Sequence, residues 1–190
     1  LLKIRKLEKH FNGIKAVQDC DFVVDENKIV ALIGPNGAGK TTVFNLITGL
    51  IKPDKGDINF KGEPIIGLQP HQIARLGISR TFQLIRLFPK LTEMENLLLA
   101  KHQEGENFLS TIFKPTYIKH EEKTNRERCL EFLRLVGLED KRDSHAENLS
   151  YGQQKLLEIA RVLATESDLL LLDEPVAGVN PIMREKIKKI

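Results

Sequence analysis

An apolar run, Ile29-Val30-Ala31-Leu32-Ile33, stops at Gly34-Pro35-Asn36-Gly37-Ala38-Gly39-Lys40-Thr41 and gives way to a helical pattern. This GxxxxGK[ST] stretch, set between a strand signal and a helix signal, constrains the fold more than any other part of the chain. A backbone that wraps successive phosphates must turn its N–H groups inward, through conformations that side chains obstruct, which is why glycines recur there. Lys40 is placed to reach β- and γ-phosphates, and Thr41 to offer its hydroxyl to Mg²⁺. The helix that follows, with Val43, Phe44, Leu46, Ile47 and Leu50 on one side, points its positive dipole end at the same place. The bare pattern arises by chance in roughly one chain of this length in a hundred. The flanking strand and helix make chance rarer still.

At 190 residues, 41% of them hydrophobic, the chain suits one large α/β domain or a domain with a small lobe. Its 29 basic and 26 acidic residues give +3, too mild and too scattered to argue for nucleic acid on charge alone. The basic clusters at Lys123 to Arg128 and Lys186 to Lys189 read as solvated helix faces. Two cysteines, Cys20 and Cys129, lie too far apart for metal-ligand spacing or a disulfide framework, so each reads as a small core residue in a reducing compartment. No apolar stretch approaches the roughly 18 residues of a membrane helix, and the start is too charged for a signal-peptide core. These features predict a cytosolic chain whose membrane role, if any, comes through a partner.

Leu2 to Lys9, Val17 to Val24 and Asp57 to Phe60 read as strands of an antiparallel sheet, with turns at Asn12-Gly13, Pro53 to Gly56 and Lys61-Gly62. Leu68 to Leu76 predicts a short helix and Ile78 to Phe82 a strand. Thr92 and Glu95 form a capping-box pattern ahead of a helix running towards His102. Residues 104–118 lose periodicity and read as a loop or lid, and a helix from about Lys119 to Val136 closes at Gly137.

Leu169-Leu170-Leu171-Leu172-Asp173-Glu174 predicts a strand buried on both faces and ending in two carboxylates. Asp173 is the candidate to hold Mg²⁺ beside the Thr41 hydroxyl, and Glu174 the candidate general base that polarises the attacking water. Between the two phosphate elements, Leu149-Ser150-Tyr151-Gly152-Gln153-Gln154 precedes an apolar helix with Ser150 as N-cap. A small polar residue and a glycine at a helix N-terminus form a second phosphate-directed element. One chain does not need two. The simplest resolution sandwiches ATP between two copies of the fold.

Gly34 to Thr41, Ser150 to Gln154 and Asp173-Glu174, in this order, resemble the ATP-binding cassette family, whose LSGGQ signature stands here as Leu-Ser-Tyr-Gly-Gln. The resemblance spans nearly the whole chain. It implies a P-loop NTPase core with a mainly parallel sheet, an N-terminal antiparallel β subdomain and an inserted α-helical subdomain. Residues 1–83 plus 150–190 form the ATP-binding core on this reading, and 84–149 the helical subdomain. The nucleotide-binding set it implies is Phe11, Val17, Gly34, Pro35, Asn36, Gly37, Ala38, Gly39, Lys40, Thr41 and Thr42, with Ser150, Tyr151, Gly152 and Gln153 acting across the dimer. Gln83 resembles the glutamine that senses Mg²⁺ and water, so Thr41, Gln83 and Asp173 become the metal set and Glu174, Gln83 and Lys40 the catalytic set. Phe11 fits either an adenine-stacking ring or a strand-end core residue.

Arg80-Thr81-Phe82-Gln83-Leu84-Ile85-Arg86-Leu87-Phe88, Leu149 to Gln154 and Ala177-Gly178-Val179-Asn180-Pro181 look like the ATPase subunits of branched-chain amino acid importers. That resemblance implies a second ATPase subunit, two transmembrane permease subunits, an external solute-binding protein and a place on the inner face of the cell membrane. Tyr151 replaces the first signature glycine and Asn180 a usual aspartate. The chain ends 17 residues after Asp173, and all five histidines precede it, so the switch histidine is absent and the domain reads as C-terminally incomplete. The competing functions are an importer for urea or amides, a lipopolysaccharide-type exporter, a P-loop kinase for a small metabolite, and an ATPase clamp on DNA or ribosomes. The Ser150 to Gln154 element argues against the kinase, and the absence of long coiled insertions or tandem cassettes argues against the clamp.

Overall fold

The computed structural model describes residues 1–81, 85–101, 115–178, 181 and 187, with 115–122 described by their backbone alone. Two compact units result, Leu1–Ile78 and Ser79–Ile190.

The first unit is built on a four-stranded sheet of β1 (Leu2–Phe11), β2 (Ile14–Val24), β3 (Lys55–Phe60) and β4 (Glu63–Pro64), in the order β2-β1-β3-β4. All three pairings are antiparallel, as the alternating sequence predicts. Phe11 pairs with Ile14 across Asn12-Gly13, and both turn residues have positive φ, 46° and 85°. That geometry matches the twist of the flanking strands and is the reason Asn-Gly serves here. Lys61-Gly62 repeats the device between β3 and β4, at 52° and 89°. Leu2, Ile4, Leu7, Ile58 and Phe60 supply the buried positions of this sheet.

Helix α1 (Lys40–Ile47) buries Val43, Leu46 and Ile47, while Leu50 falls beyond its end and stays 48% exposed. Helix α2 (Pro70–Arg75) begins with proline in its first turn, where the missing N–H costs nothing. The predicted strand over 29–33 does not form: these residues adopt no regular structure, and Ile29 and Ile33 are fully exposed or nearly so. A strand exists only through ladder bonds to neighbours, and residues 29–33 pair with none of the four strands of this sheet.

β5 (Ile78–Arg80), which enters the second unit at Ser79, pairs with β6 (Leu169–Leu171). The predicted burial of the 169–174 run on both faces is not met: Leu169 and Leu171 are buried, whereas Leu172 is 41% exposed. Among the described residues β6 has one strand neighbour, and Leu172 lies past its end.

Three helices, α3 (Glu93–Lys101), α4 (Pro115–Val136) and α5 (Tyr151–Ala164), pack around Leu97, Cys129, Leu133, Leu156, Leu157 and Ala160. The Thr92–Glu95 capping box is present: Thr92 N–H donates to Glu95 Oε2 at 2.7 Å and Glu95 N–H to Thr92 Oγ1 at 3.2 Å. Helix α4 starts at Pro115, four residues before the expected Lys119, and the rest of the expected loop at 104–114 lies outside the described residues. Glu166, just past α5, takes ion pairs from Lys101 of α3 and Arg128 of α4. Cys129 is a core residue, its thiol pushed up to about 11 by burial, whereas Cys20 is only half-buried. Lys123, Arg126 and Arg128 face solvent on α4, as the charge pattern predicts. Among the described residues no helix is long and apolar enough to cross a membrane.

Candidate functional site

The glycine-rich loop of the first unit is exposed and turns through Gly37 and Gly39, at φ 81° and 84°. Gly39 is the N-cap of α1. A Cβ there would lie 2.2 Å from the Ala16 carbonyl oxygen and 3.5 Å from Val17 Cγ2, so the loop rests directly on β2. Val17, buried at 6% exposure, lies beside the loop. Lys40 Nζ donates to the carbonyls of Gly34 at 2.9 Å and Pro35 at 2.8 Å. The ammonium thus already faces the inside of its own loop. Exchanging two carbonyl oxygens for two phosphate oxygens preserves its hydrogen bonds and adds opposite charge, so the loop fits a polyphosphate. Thr41 and Thr42 follow in the first turn of α1. Phe11 ends β1 at 44% exposure, with Lys9 Nζ 5.5 Å from its ring centre, so it is an accessible ring and not a core residue.

In the second unit, Ser150 caps α5 through a reciprocal box: Gln153 N–H donates to Ser150 Oγ at 3.4 Å and Ser150 N–H to Gln153 Oε1 at 3.0 Å. Lys141 Nζ reaches the same Gln153 oxygen at 3.3 Å. Tyr151, half exposed, lays its ring against Gly178, where an added Cβ would sit 3.1 Å from Tyr151 Cε1. The helix start that carries Ser150, Tyr151 and Gly152 therefore meets the turn that follows Glu174.

Asp173 is 5% exposed, and its Oδ2 accepts a hydrogen bond from Arg80 Nη2 at 2.8 Å. Its backbone N–H donates to Thr81 Oγ1 at 3.0 Å, while Thr81 N–H donates to the Leu171 carbonyl at 3.0 Å. Glu174 is exposed and holds φ at 48°, a left-handed conformation uncommon for a side-chain-bearing residue. Its carbonyl accepts from Ala177 N–H at 3.0 Å. The backbone bend lifts Glu174 off the strand line directly after the buried Asp173. Gln83, Val179 and Asn180 lie outside the described residues.

Two buried charged groups escaped sequence reasoning, the first at the site and the second at the start of α3. Arg80 stands inside the quoted Arg80-Thr81-Phe82-Gln83 stretch, yet nothing local marks it as the partner of Asp173. Glu93 reads as an ordinary first-turn acid, yet it is fully buried with neither carboxylate oxygen hydrogen-bonded.

A phosphate-wrapping loop, a capped helix start and a buried carboxylate followed by an exposed one are the marks of a P-loop ATPase. Residues 17–177 match the family described as ABC transporter, and the chain belongs to that family. It is an ATP-binding, ATP-hydrolysing cassette. A high-affinity branched-chain amino acid transport ATP-binding protein, BraF of Pseudomonas aeruginosa, is 44% identical over 100% of this chain and 75% of its own length. The corresponding LivG protein of Escherichia coli is 43% identical, over 95% of this chain and 71% of its own. Among solved structures, the ADP conformation of an ATP-binding cassette of an ABC transporter superposes with a TM-score of 0.80. It is 35% identical and covers 98% of this chain and 73% of the other.

Proposed function

We propose that this chain energises the import of branched-chain amino acids (leucine, isoleucine and valine) by binding and hydrolysing ATP between two cassettes. The observation that carries this reading is the 44% identity to a branched-chain amino acid transport subunit over the full chain. It is supported by a loop whose lysine already faces inward. Residues 1–83 and 150–190 serve as the ATP-binding core, and 84–149 as the helical part that meets the permease subunits after Gln83. The partners on this reading are a second ATPase subunit, identical or related, two permease subunits and an external solute-binding protein, with the cassette held at the inner face of the cell membrane.

Thr41, Gln83 and Asp173 are the residues for Mg²⁺, which supplies charge neutralisation to the phosphates when bound. Among the described residues no cluster of three histidine, cysteine or acidic side chains could hold a metal alone. The Thr41 hydroxyl and the Asp173 carboxylate are oxygen donors of the kind Mg²⁺ takes, with phosphate oxygens and water to complete the set. Lys40 binds the β- and γ-phosphates, Phe11 stacks on the base, and the N–H groups from Gly34 to Thr42 orient the chain of phosphates. Glu174 takes a proton from the attacking water. Ser150, Tyr151, Gly152 and Gln153 close on the γ-phosphate of the partner cassette.

Uptake of labelled leucine at low concentration, in source cells carrying Glu174→Gln in the full-length gene, tests the reading. Loss confined to leucine, isoleucine and valine is the expected outcome. Intact uptake in cells lacking any second leucine system would overturn the substrate and turn the search to urea, amides or export.

A further inference from the structure

We propose that Arg80 is the counter-ion of Asp173 in the metal-free cassette and competes electrostatically with the metal for that carboxylate, making Arg80 a positioning residue that weakens metal binding. This rests on the reading above that Asp173 is a metal carboxylate.

Arg80 and Asp173 form an ion pair of 2.8 Å whose side chains are 5% and 6% exposed. Their geometry is held from both sides: Arg80 ends β5, which pairs with β6, and Thr81 bonds both Leu171 and Asp173. Neither side chain can swing freely into water. A carboxylate this buried is costly to keep ionised unless a cation stands beside it, and removing one partner leaves the other charge stranded. In the absence of a metal, Arg80 meets that need through Oδ2. A divalent cation approaching the same carboxylate then finds its charge partly neutralised and a fixed positive group nearby, in surroundings where water screens little. The two cations therefore oppose each other. Arg80 holds Asp173 in readiness and keeps the metal from binding too tightly, which favours release of metal and nucleotide after each turnover.

The experiment measures ADP affinity of the full chain by calorimetry with and without Mg²⁺, and the melting temperature without either. Wild type is set against Arg80→Gln, which keeps a hydrogen-bond donor but drops the charge, and Arg80→Lys, which keeps the charge. The gain in ADP affinity on adding Mg²⁺ is expected to be at least about threefold larger in Arg80→Gln than in wild type. In Arg80→Lys it should stay near the wild-type value. The metal-free melting temperature should fall in Arg80→Gln and recover when Asp173→Asn is added, because the stranded charge is then gone. An unchanged or smaller Mg²⁺ gain in Arg80→Gln overturns the competition. So does an equal increase in Arg80→Lys. If Arg80→Gln does not fold, failure of Asp173→Asn to restore a melting transition overturns the counter-ion role. Asp173→Asn alone separates the two readings: a Mg²⁺ gain left at the wild-type value would remove Asp173 from the metal site itself, whatever Arg80 does.

Discussion

Glu93 opens α3 with its carboxylate sealed from water and both oxygens without hydrogen-bond partners. Burial pushes its pKa from 4.5 up to about 7, against a weaker opposing pull from Lys141. A helix N-terminus favours an ionised acid, but only by about 0.3–1 kcal/mol, so desolvation wins. The unfolded chain releases this proton near 4.5 and the folded chain only near 7. Between those values the folded state holds more protons, so stability falls as pH rises from 4.5 to 7 and is level above. The difference of 7 − 4.5 = 2.5 units, at about 1.36 kcal/mol per unit, corresponds to roughly 3 kcal/mol. Glu93→Gln keeps the shape and removes the titration. The variant should match wild type near pH 4.5 and exceed it by roughly 3 kcal/mol at pH 8. Urea denaturation of both proteins, followed by far-UV circular dichroism at half-unit steps of pH, yields the difference curve. Taking the difference cancels other titrating groups, such as Asp54 and Glu95, whose pKa values their hydrogen bonds lower. A difference that does not change with pH would refute the reasoning, since the carboxyl would then titrate alike in both states.

Lys40→Ala should weaken ATP binding roughly tenfold or more, the equivalent of losing at least one charge-assisted hydrogen bond; calorimetry showing wild-type affinity would count against the loop assignment. Glu174→Gln should retain ATP binding while turnover falls roughly 10² to 10⁴-fold, the usual span for a lost general base, and an undiminished turnover number would remove it from that role. Gly39→Ala should cost at least about 2 kcal/mol in stability of the first unit, because its Cβ would press on the Ala16 carbonyl at a φ of +84°; an unchanged melting curve would show that the loop is free to move off β2. Ser150→Ala should destabilise α5 by about 1 kcal/mol, read as a lowered urea midpoint at unchanged slope.

What was legible in this sequence was whatever is decided within a few residues. Asn12-Gly13 sets a hairpin because two adjacent residues tolerate positive φ, and Thr92 with Glu95, or Ser150 with Gln153, caps a helix through bonds spanning three positions. The phosphate loop belongs with these, since Lys40 folds back on Gly34 and Pro35. The 29–33 run shows where this reasoning stops: an apolar pattern signals a wish for burial, but a strand needs partners that the pattern cannot name. Glu93 fails to declare itself for the same reason. Its own neighbours look like a solvated first turn, whereas the helix start is bonded to a segment far along the chain, where the Arg142 and Ser144 carbonyls accept the N–H groups of Met94 and Glu93.

Asp173 combines both cases. The apolar run and paired acids announce a carboxylate at a strand end, while the cation that pairs with it, Arg80, stands far back in the chain and meets it because β5 and β6 pair. A local motif can thus name the residue that carries the chemistry, whereas the strength with which it does so depends on contacts that only folding creates. This is why substitution at Arg80, outside the phosphate loop and the signature helix, should alter metal coupling without touching the loop that holds the phosphates.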